Sequence, residues 1–275
     1  CFLNAAFTSK FKANQLMMIA DLYEQDLIRD DDRFFFSDIW FPGIESIAYM
    51  NYFHKKTAKI TGIIHAGSFT DTDFVRDLER WAKNFEDIVF DISDTIYCAS
   101  NFIRDDIIKK RMVDPSKFVV SGLPVDYETL GCYDTSRKAD RVIFNGRICD
   151  EKQPHLFDKL ADRVSEVLGR TDIEFVKTQD LGLNKDQYYQ LLAESKCVVS
   201  YALQENFGFG IAEAAYLGCT PVLPNRLVYP ELYDEKYLFD THEESVIMVC
   251  DALQQQYQDS VELNCDPLET WFGQR

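Results

Sequence analysis

Short apolar runs alternate with longer stretches of helical periodicity along almost the whole 275-residue chain. In the first half the pattern predicts strands at 1–6, 33–36, 58–65, 95–99 and 117–121, separated by helices at 11–28, 43–54, 73–84 and 101–111. The second half restarts the same alternation, with strands at 141–145, 173–176, 197–201 and 221–223 and helices at 186–194, 211–217 and 243–256. One further helix there carries Leu156, Phe157, Leu160, Val164 and Val167 on one face, with Pro154 in its first turn. A missing N–H costs little at that position. Strand–helix alternation of this kind predicts an α/β fold with parallel sheets and helical crossovers.

Periodicity fails only between 125 and 140, where Asp126-Tyr127-Glu128-Thr129-Leu130-Gly131 leads into Thr135-Ser136-Arg137-Lys138. This polar, turn-rich stretch predicts an interdomain linker. The expected organisation is a first lobe at 1–127, a linker at 128–140, a second lobe at 141–260 and a closing segment at 261–275.

Composition narrows the class without naming it. The chain is 46% hydrophobic and 27% charged, as in ordinary soluble domains, and has no run of about 18 apolar residues to span a bilayer. Cys1 is not an initiator methionine, so the sequence is compatible with residues upstream of it. A net charge of −17 disfavours wide, non-specific binding to nucleic acid. The basic clusters Lys55-Lys56 with Lys59 and Lys109-Lys110-Arg111 all fall in the first lobe. They read as solvated helix faces, with a local site for an anionic acceptor as the other reading. The eight cysteines contain no CxxC pair, and several lie in apolar runs, as Cys197 does before Val198-Val199. They read as buried hydrophobes in a reduced, cytoplasmic protein, with no metal site.

Two segments of the second lobe carry chemistry. Gly146-Arg147-Ile148-Cys149-Asp150-Glu151-Lys152 joins a strand to a helix and sets two cations beside backbone N–H groups that favour an anion. The other reading is a surface turn in which Lys152 pairs with Asp150 or Glu151. The second segment, Glu205-Asn206-Phe207-Gly208-Phe209-Gly210-Ile211-Ala212-Glu213, also lies between a buried strand and a helix. That is the carboxyl edge of the sheet, where open α/β folds take ligands. Glu213, between Ala212 and Ala214, needs a hydrogen-bonding partner if it faces inward, and vicinal sugar hydroxyls are suitable. A pair of helix-start carboxylates complementing the macrodipole is the alternative.

The Glu-x7-Glu spacing with Phe-Gly inside it, followed by Glu213-Ala214 and Gly218-Cys219-Thr220-Pro221-Val222, resembles the signature of the family 4 retaining glycosyltransferases. Gly146-Arg147-x4-Lys152, about 60 residues earlier, is similar to the same family's phosphate site. A weaker likeness at 94–103 and 121–126 resembles the family's last first-lobe strand and exit loop. The resemblance implies the GT-B fold, two Rossmann-like lobes whose parallel sheets face each other across a cleft, with 261–275 returning toward the first lobe. It implies that Arg147 and Lys152 hold the donor diphosphate and neutralise the leaving group, and that Glu213 accepts from ribose hydroxyls. Glu205 faces the donor sugar, Asn206, Phe207 and Gly208 offer backbone amides to it, and His65 touches it from the other lobe. No cofactor is implied beyond the nucleotide-sugar donor, a UDP-sugar by family default.

Residues 216–239, with Leu227-Val228-Tyr229-Pro230-Glu231-Leu232, resemble more narrowly the branch containing the tRNA-queuosine mannosyltransferases. Phage enzymes that glycosylate hydroxymethylated DNA bases are plausible relatives. The acceptor implied is a hydroxyl on a modified DNA or tRNA base; a glycan or lipid is the alternative. The family's glycine-rich loop after its first strand has no counterpart at 4–10.

Competing classes leave distinct marks. Asp71-Thr72-Asp73 is a DxD, a metal–diphosphate motif of single-lobed glycosyltransferases, but here it reads better as a helix N-cap. Gly208-x-Gly210-x-x-Glu213 misses the third glycine of a dinucleotide-binding turn. A GT-B sugar-nucleotide epimerase would share the donor site, and a nucleotide-sugar sensor would bind without turnover.

Overall fold

A computed structural model of the chain describes residues 1–6, 8–70, 74–255 and 261. The chain divides into two compact units, Cys1–Gly122 and Leu123–Arg275.

The first unit holds one sheet of five parallel strands: β1 (Phe2–Leu3), β2 (Arg33–Phe36), β3 (Lys59–Ile64), β4 (Thr95–Cys98) and β5 (Phe118–Val120), in that spatial order. Between them run α1 (Ser9–Glu24), α2 (Glu45–His54), α3 (Glu79–Ile92) and α4 (Asn101–Lys110). Side-chain caps start two of these helices: Thr8 accepts from the N–H of Phe11, and Ser100 from that of Ile103. Right-handed crossovers between successive neighbours set all four helices on one face of the sheet. Phe34, Phe36, Ile60, Ile64, Ile96, Cys98 and Phe118 are buried. On the opposite face Phe35, Ile63 and Tyr97 are half-buried and Val119 is 41% exposed.

The second unit is wound differently. After the short helix α5 (Tyr127–Leu130) come β6 (Ala139–Phe144), α6 (Pro154–Leu168), β7 (Glu174–Lys177), α7 (Lys185–Ala193) and β8 (Ser195–Val199). Then follow α8 (Phe209–Tyr216), β9 (Thr220–Pro224), α9 (Tyr229–Leu232), β10 (Leu238–Phe239) and α10 (His242–Gln254). The spatial order is β10-β9-β8-β6-β7, all parallel. The chain moves from β6 to β7 on one side, then crosses back over β6 to β8 and continues outward. Helices therefore cover both faces. Val142, Phe144, Phe157, Leu160, Val164, Val199 and Val249 form one buried core, built from the sheet with α6 and α10. The point where winding reverses lies between β6 and β8, and ligands of such sheets bind outside the strand ends there.

The packing boundary falls at 122/123 rather than at 127/128. The turn-rich stretch expected as a linker packs on the second unit, with Tyr127 4.6 Å from Tyr216 and the Tyr133 hydroxyl bonded to Asp186 at 3.1 Å. Polar composition concealed this because only a few aromatic rings do the packing. The helix expected over 73–84 begins instead as a 3-10 turn, Phe74–Leu78, and runs on through α3. Asp71-Thr72-Asp73 and, apart from Val261, the segment 261–275 lie outside the described residues.

The basic clusters lie largely at the surface, as expected, with several members ion-paired. Lys56 pairs with Asp26 at 2.6 Å, Lys59 with Asp94 at 2.8 Å and Lys110 with Asp106 at 3.0 Å. Arg111 is buried against Glu86 at 2.8 Å. Among the described residues Cys98, Cys197, Cys219 and Cys250 are buried free thiols. Burial pushes the Cys98 and Cys219 thiols up to about 12, so they stay protonated and inert at neutral pH.

Candidate functional site

Both sequence segments arrive at the reversal point of the second sheet. The loop after β6 carries Gly146, Arg147 and Lys152, and the loop after β8 carries Glu205 to Gly208. Arg147 has a side chain 74% exposed and reaches Glu151 at 2.5 Å. Lys152, only 12% exposed, donates to the Gln204 carbonyl and to Glu205 Oε2 at 3.1 Å. The turn reading, in which Lys152 pairs with Asp150 or Glu151, does not hold: Lys152 crosses to the neighbouring loop and ties the two segments together.

Gly208 caps α8 with a φ of 83°, a conformation that favours glycine, and no side chain caps the helix. Its first N–H groups are left as donors for an anion. A Cβ on Gly210 would lie 2.8 Å from Asn145 Nδ2, which itself donates to the Gly210 carbonyl at 2.6 Å. This close approach fixes the start of α8 against the end of β6. Phe207 is buried against Phe209, and Asn206 Oδ1 accepts from Gln204 Nε2 at 2.8 Å.

One turn into α8, Glu213 accepts from Lys185 Nζ and from the Tyr189 hydroxyl, each at 2.8 Å. Burial pulls the Lys185 ammonium down, but hydrogen bonds to Glu213 and Tyr189 outweigh it and leave its pKa raised. A cavity of about 400 Å³ opens beside this pair, lined by Asn145, Gln179, Asn184, Lys185, Tyr188 and Glu213 among others. A second cavity of about 70 Å³ is lined by Asn145, Gly146, Lys152, Glu205, Gly208 and Tyr229 among others. Asn145 lines both, so the two cavities, one with Glu213 and one with Lys152, are neighbours at the reversal point.

Sequence reasoning missed the residues that hold this loop from behind. Arg226 donates to the carbonyls of Ala202 and Tyr201, each at 3.0 Å. Fully buried Tyr229 bonds Ser200 Oγ at 2.8 Å, and the Leu203 N–H bonds the Glu151 carbonyl at 2.7 Å. Burial, and then the nearby Glu205 charge, raise the Tyr229 pKa. The signal in the sequence was Leu227-Val228-Tyr229-Pro230, which had marked only a resemblance. His65 stands apart, in the first unit at the end of β3, where its Nε2 donates to the Ser37 carbonyl at 2.9 Å. Among the described residues no group of His, Cys, Asp and Glu is arranged to hold a metal, and no helix is long and apolar enough to cross a membrane.

Two parallel sheets, one of them doubly wound with its groove at the reversal point, are the GT-B architecture. Solved GT-B structures share it. Alpha,alpha-trehalose-phosphate synthase (UDP-forming) from Burkholderia vietnamiensis aligns with a TM-score of 0.59 at 12% identity, over 91% of this chain and 72% of that one. S. aureus TarM, solved with UDP and alpha-GlcNAc-glycerol, aligns with a TM-score of 0.58 at 16% identity, over 85% of this chain and 51% of its own. In sequence, 101 residues are 34% identical to the tRNA-queuosine alpha-mannosyltransferase of Drosophila melanogaster, which is 37% of this chain and 25% of that relative. The chain thus matches a quarter of the curated relative's length and about half of TarM's. No family model matches.

Proposed function

We propose that the chain is a retaining glycosyltransferase that moves a sugar from a nucleotide-diphosphate sugar, UDP-sugar by default, to a hydroxyl on a modified nucleobase. The observation that carries this reading is that Glu213 and Lys152 line two neighbouring cavities that share Asn145, with Arg147 on the same loop as Lys152. The nucleoside occupies the larger cavity, its ribose hydroxyls donating to Glu213. The diphosphate lies along Gly146–Lys152 and the start of α8, and the sugar meets Glu205 and the amides of Asn206 to Gly208.

Breaking the anomeric bond puts negative charge on the departing diphosphate. Arg147, Lys152 and the α8 N–H groups receive that charge and lower the barrier. Without donor the two cations are held by Glu151 and Glu205. The diphosphate takes over their charge and releases Glu205 toward the sugar hydroxyls. Glu205 is not assigned as a nucleophile, and retention follows from attack on the face the leaving group vacates. The matched mannosyltransferase supports the nucleobase acceptor, and the free buried thiols fit a cytoplasmic setting.

Calorimetric and thermal-shift titration with UDP-glucose, UDP-GlcNAc, UDP-galactose, GDP-mannose and NADH tests the reading. One sugar nucleotide at about 100 times its Kd is expected to add roughly 2.7 kcal/mol of stability, and the gain is cut by half or more in Glu213→Ala and Arg147→Ala. A shift with NADH alone, or none with any sugar nucleotide, overturns it. Turnover of the bound sugar nucleotide to an epimer without acceptor assigns an epimerase instead.

A further inference from the structure

The first unit carries an aromatic cluster that the donor groove does not use. Trp40 follows β2, and Trp81 and Phe85 lie in the first half of α3, which starts at the carboxyl edge of the sheet. Their rings pack mutually, Trp40 to Phe85 at 4.9 Å, Trp81 to Phe85 at 5.6 Å and Trp40 to Trp81 at 5.7 Å. Trp81 is 54% exposed and its ring lies nearly parallel to that of Phe85, at 3°.

A polar network beneath holds the cluster rigid. The Trp40 indole N–H donates at 3.0 Å to Glu86, which is 1% exposed. Glu86 also accepts from the Ser68 N–H and Ser68 hydroxyl, each at 2.6 Å, and from Arg111 at 2.8 Å. Ser68 belongs to the loop that begins at His65. The cluster and the histidine are therefore fixed to the same loop.

We propose that Trp81, backed by Phe85 and Trp40, is a stacking platform for an unpaired nucleobase of the acceptor; this rests on the glycosyltransferase reading and specifies its acceptor class. A bare indole face fixed by neighbouring rings offers stacking without the entropy cost of ordering a mobile side chain. The exposed polar groups near it along the chain are Asp77, Arg80, Lys83 and Asn84, and among the described residues no ion pair engages either cation. Arg80 and Lys83 suit a phosphate and Asn84 a base edge. Two cations also fit the −17 net charge: affinity comes from stacking on the base, with little from tracking a backbone.

The test is fluorescence anisotropy of the full chain with labelled single-stranded RNA and DNA hexamers, beside calorimetry with maltohexaose. Binding of at least one hexamer is expected to weaken by about 5- to 150-fold in Trp81→Ala, to be kept largely in Trp81→Phe, and to be unchanged in Tyr52→Ala, an exposed aromatic on α2. The affinity should fall with salt at a slope no steeper than about −1.4, for two phosphates on a single strand. Which hexamer binds more tightly distinguishes RNA from DNA. Hexamer binding that Trp81→Ala leaves intact, no hexamer binding, or Trp81-dependent binding of maltohexaose overturns the proposal. Donor titrations on the same variants separate the failures: a retained donor response with no hexamer binding sinks the platform alone, and loss of both in the parent chain sinks the glycosyltransferase reading.

Discussion

The two units use the same strand–crossover–strand unit but wind it differently. In the first, five strands follow one another in order and every crossover turns the same way. In the second, the step from β7 back across β6 to β8 sends neighbouring loops apart. The gap so formed receives Lys152 from one loop and Glu205 from the other. The first unit instead spends its polar side chains on a closed network, with Glu86 satisfied by Trp40, Ser68 and Arg111. One unit keeps its charges at a groove; the other locks them beneath a surface of rings.

The comparison can be broken at several points. Glu86→Ala strands the Arg111 guanidinium in a buried site and is expected to destabilise the first unit by about 3–5 kcal/mol. Sugar-nucleotide titration of the same variant should be unaltered below its unfolding transition; loss of donor binding would show that the units do not work separately. Glu213→Ala removes the acceptor of two hydrogen bonds and is expected to weaken sugar-nucleotide binding by about 10- to 100-fold by calorimetry. Arg226→Ala frees the loop bearing Glu205, and kcat/KM should fall about tenfold while the circular dichroism spectrum stays unchanged.

The smallest effect concerns pH. Asp140, whose burial would raise its pKa, is held below its ordinary 3.8 by the combined hydrogen bonds and charges of Lys196 and Arg170. A depressed carboxylate stabilises the fold above its unfolded pKa and loses that contribution as pH falls through the folded value. Asp140→Asn should therefore cost on the order of 1 kcal/mol at pH 7. In urea melts the difference should narrow steadily below 3.8; a constant difference would show that charge is not involved.

Nearly every regular element was legible because its signal is local. Strand 33–36 and the helix with Leu156, Phe157, Leu160 and Val164 show their periods within a single window of sequence. The phosphate and carboxylate segments were legible for a related reason: glycines and charges at fixed spacing beside a strand end imply a turn facing a ligand. Arg226 and Tyr229 were not, because their partners, Tyr201, Ala202 and Ser200, lie more than twenty residues away and are mostly backbone. Arg111 was misread within a basic triplet, since nothing local reveals that Glu86 waits inside the unit.

The sequence alone determined the succession of strands and helices, the two halves of the chain and the chemical types at the groove. Hydrophobic period and turn chemistry act over a few residues, and a single chain displays them directly. Only the tertiary structure decided the strand order, and with it which loops part to form a groove. It also decided that Lys152 meets Glu205 rather than its sequence neighbours, and that Trp40, Trp81 and Phe85 share one surface. Those outcomes depend on contacts between residues far apart in the chain, which exist only once the crossovers have chosen their direction.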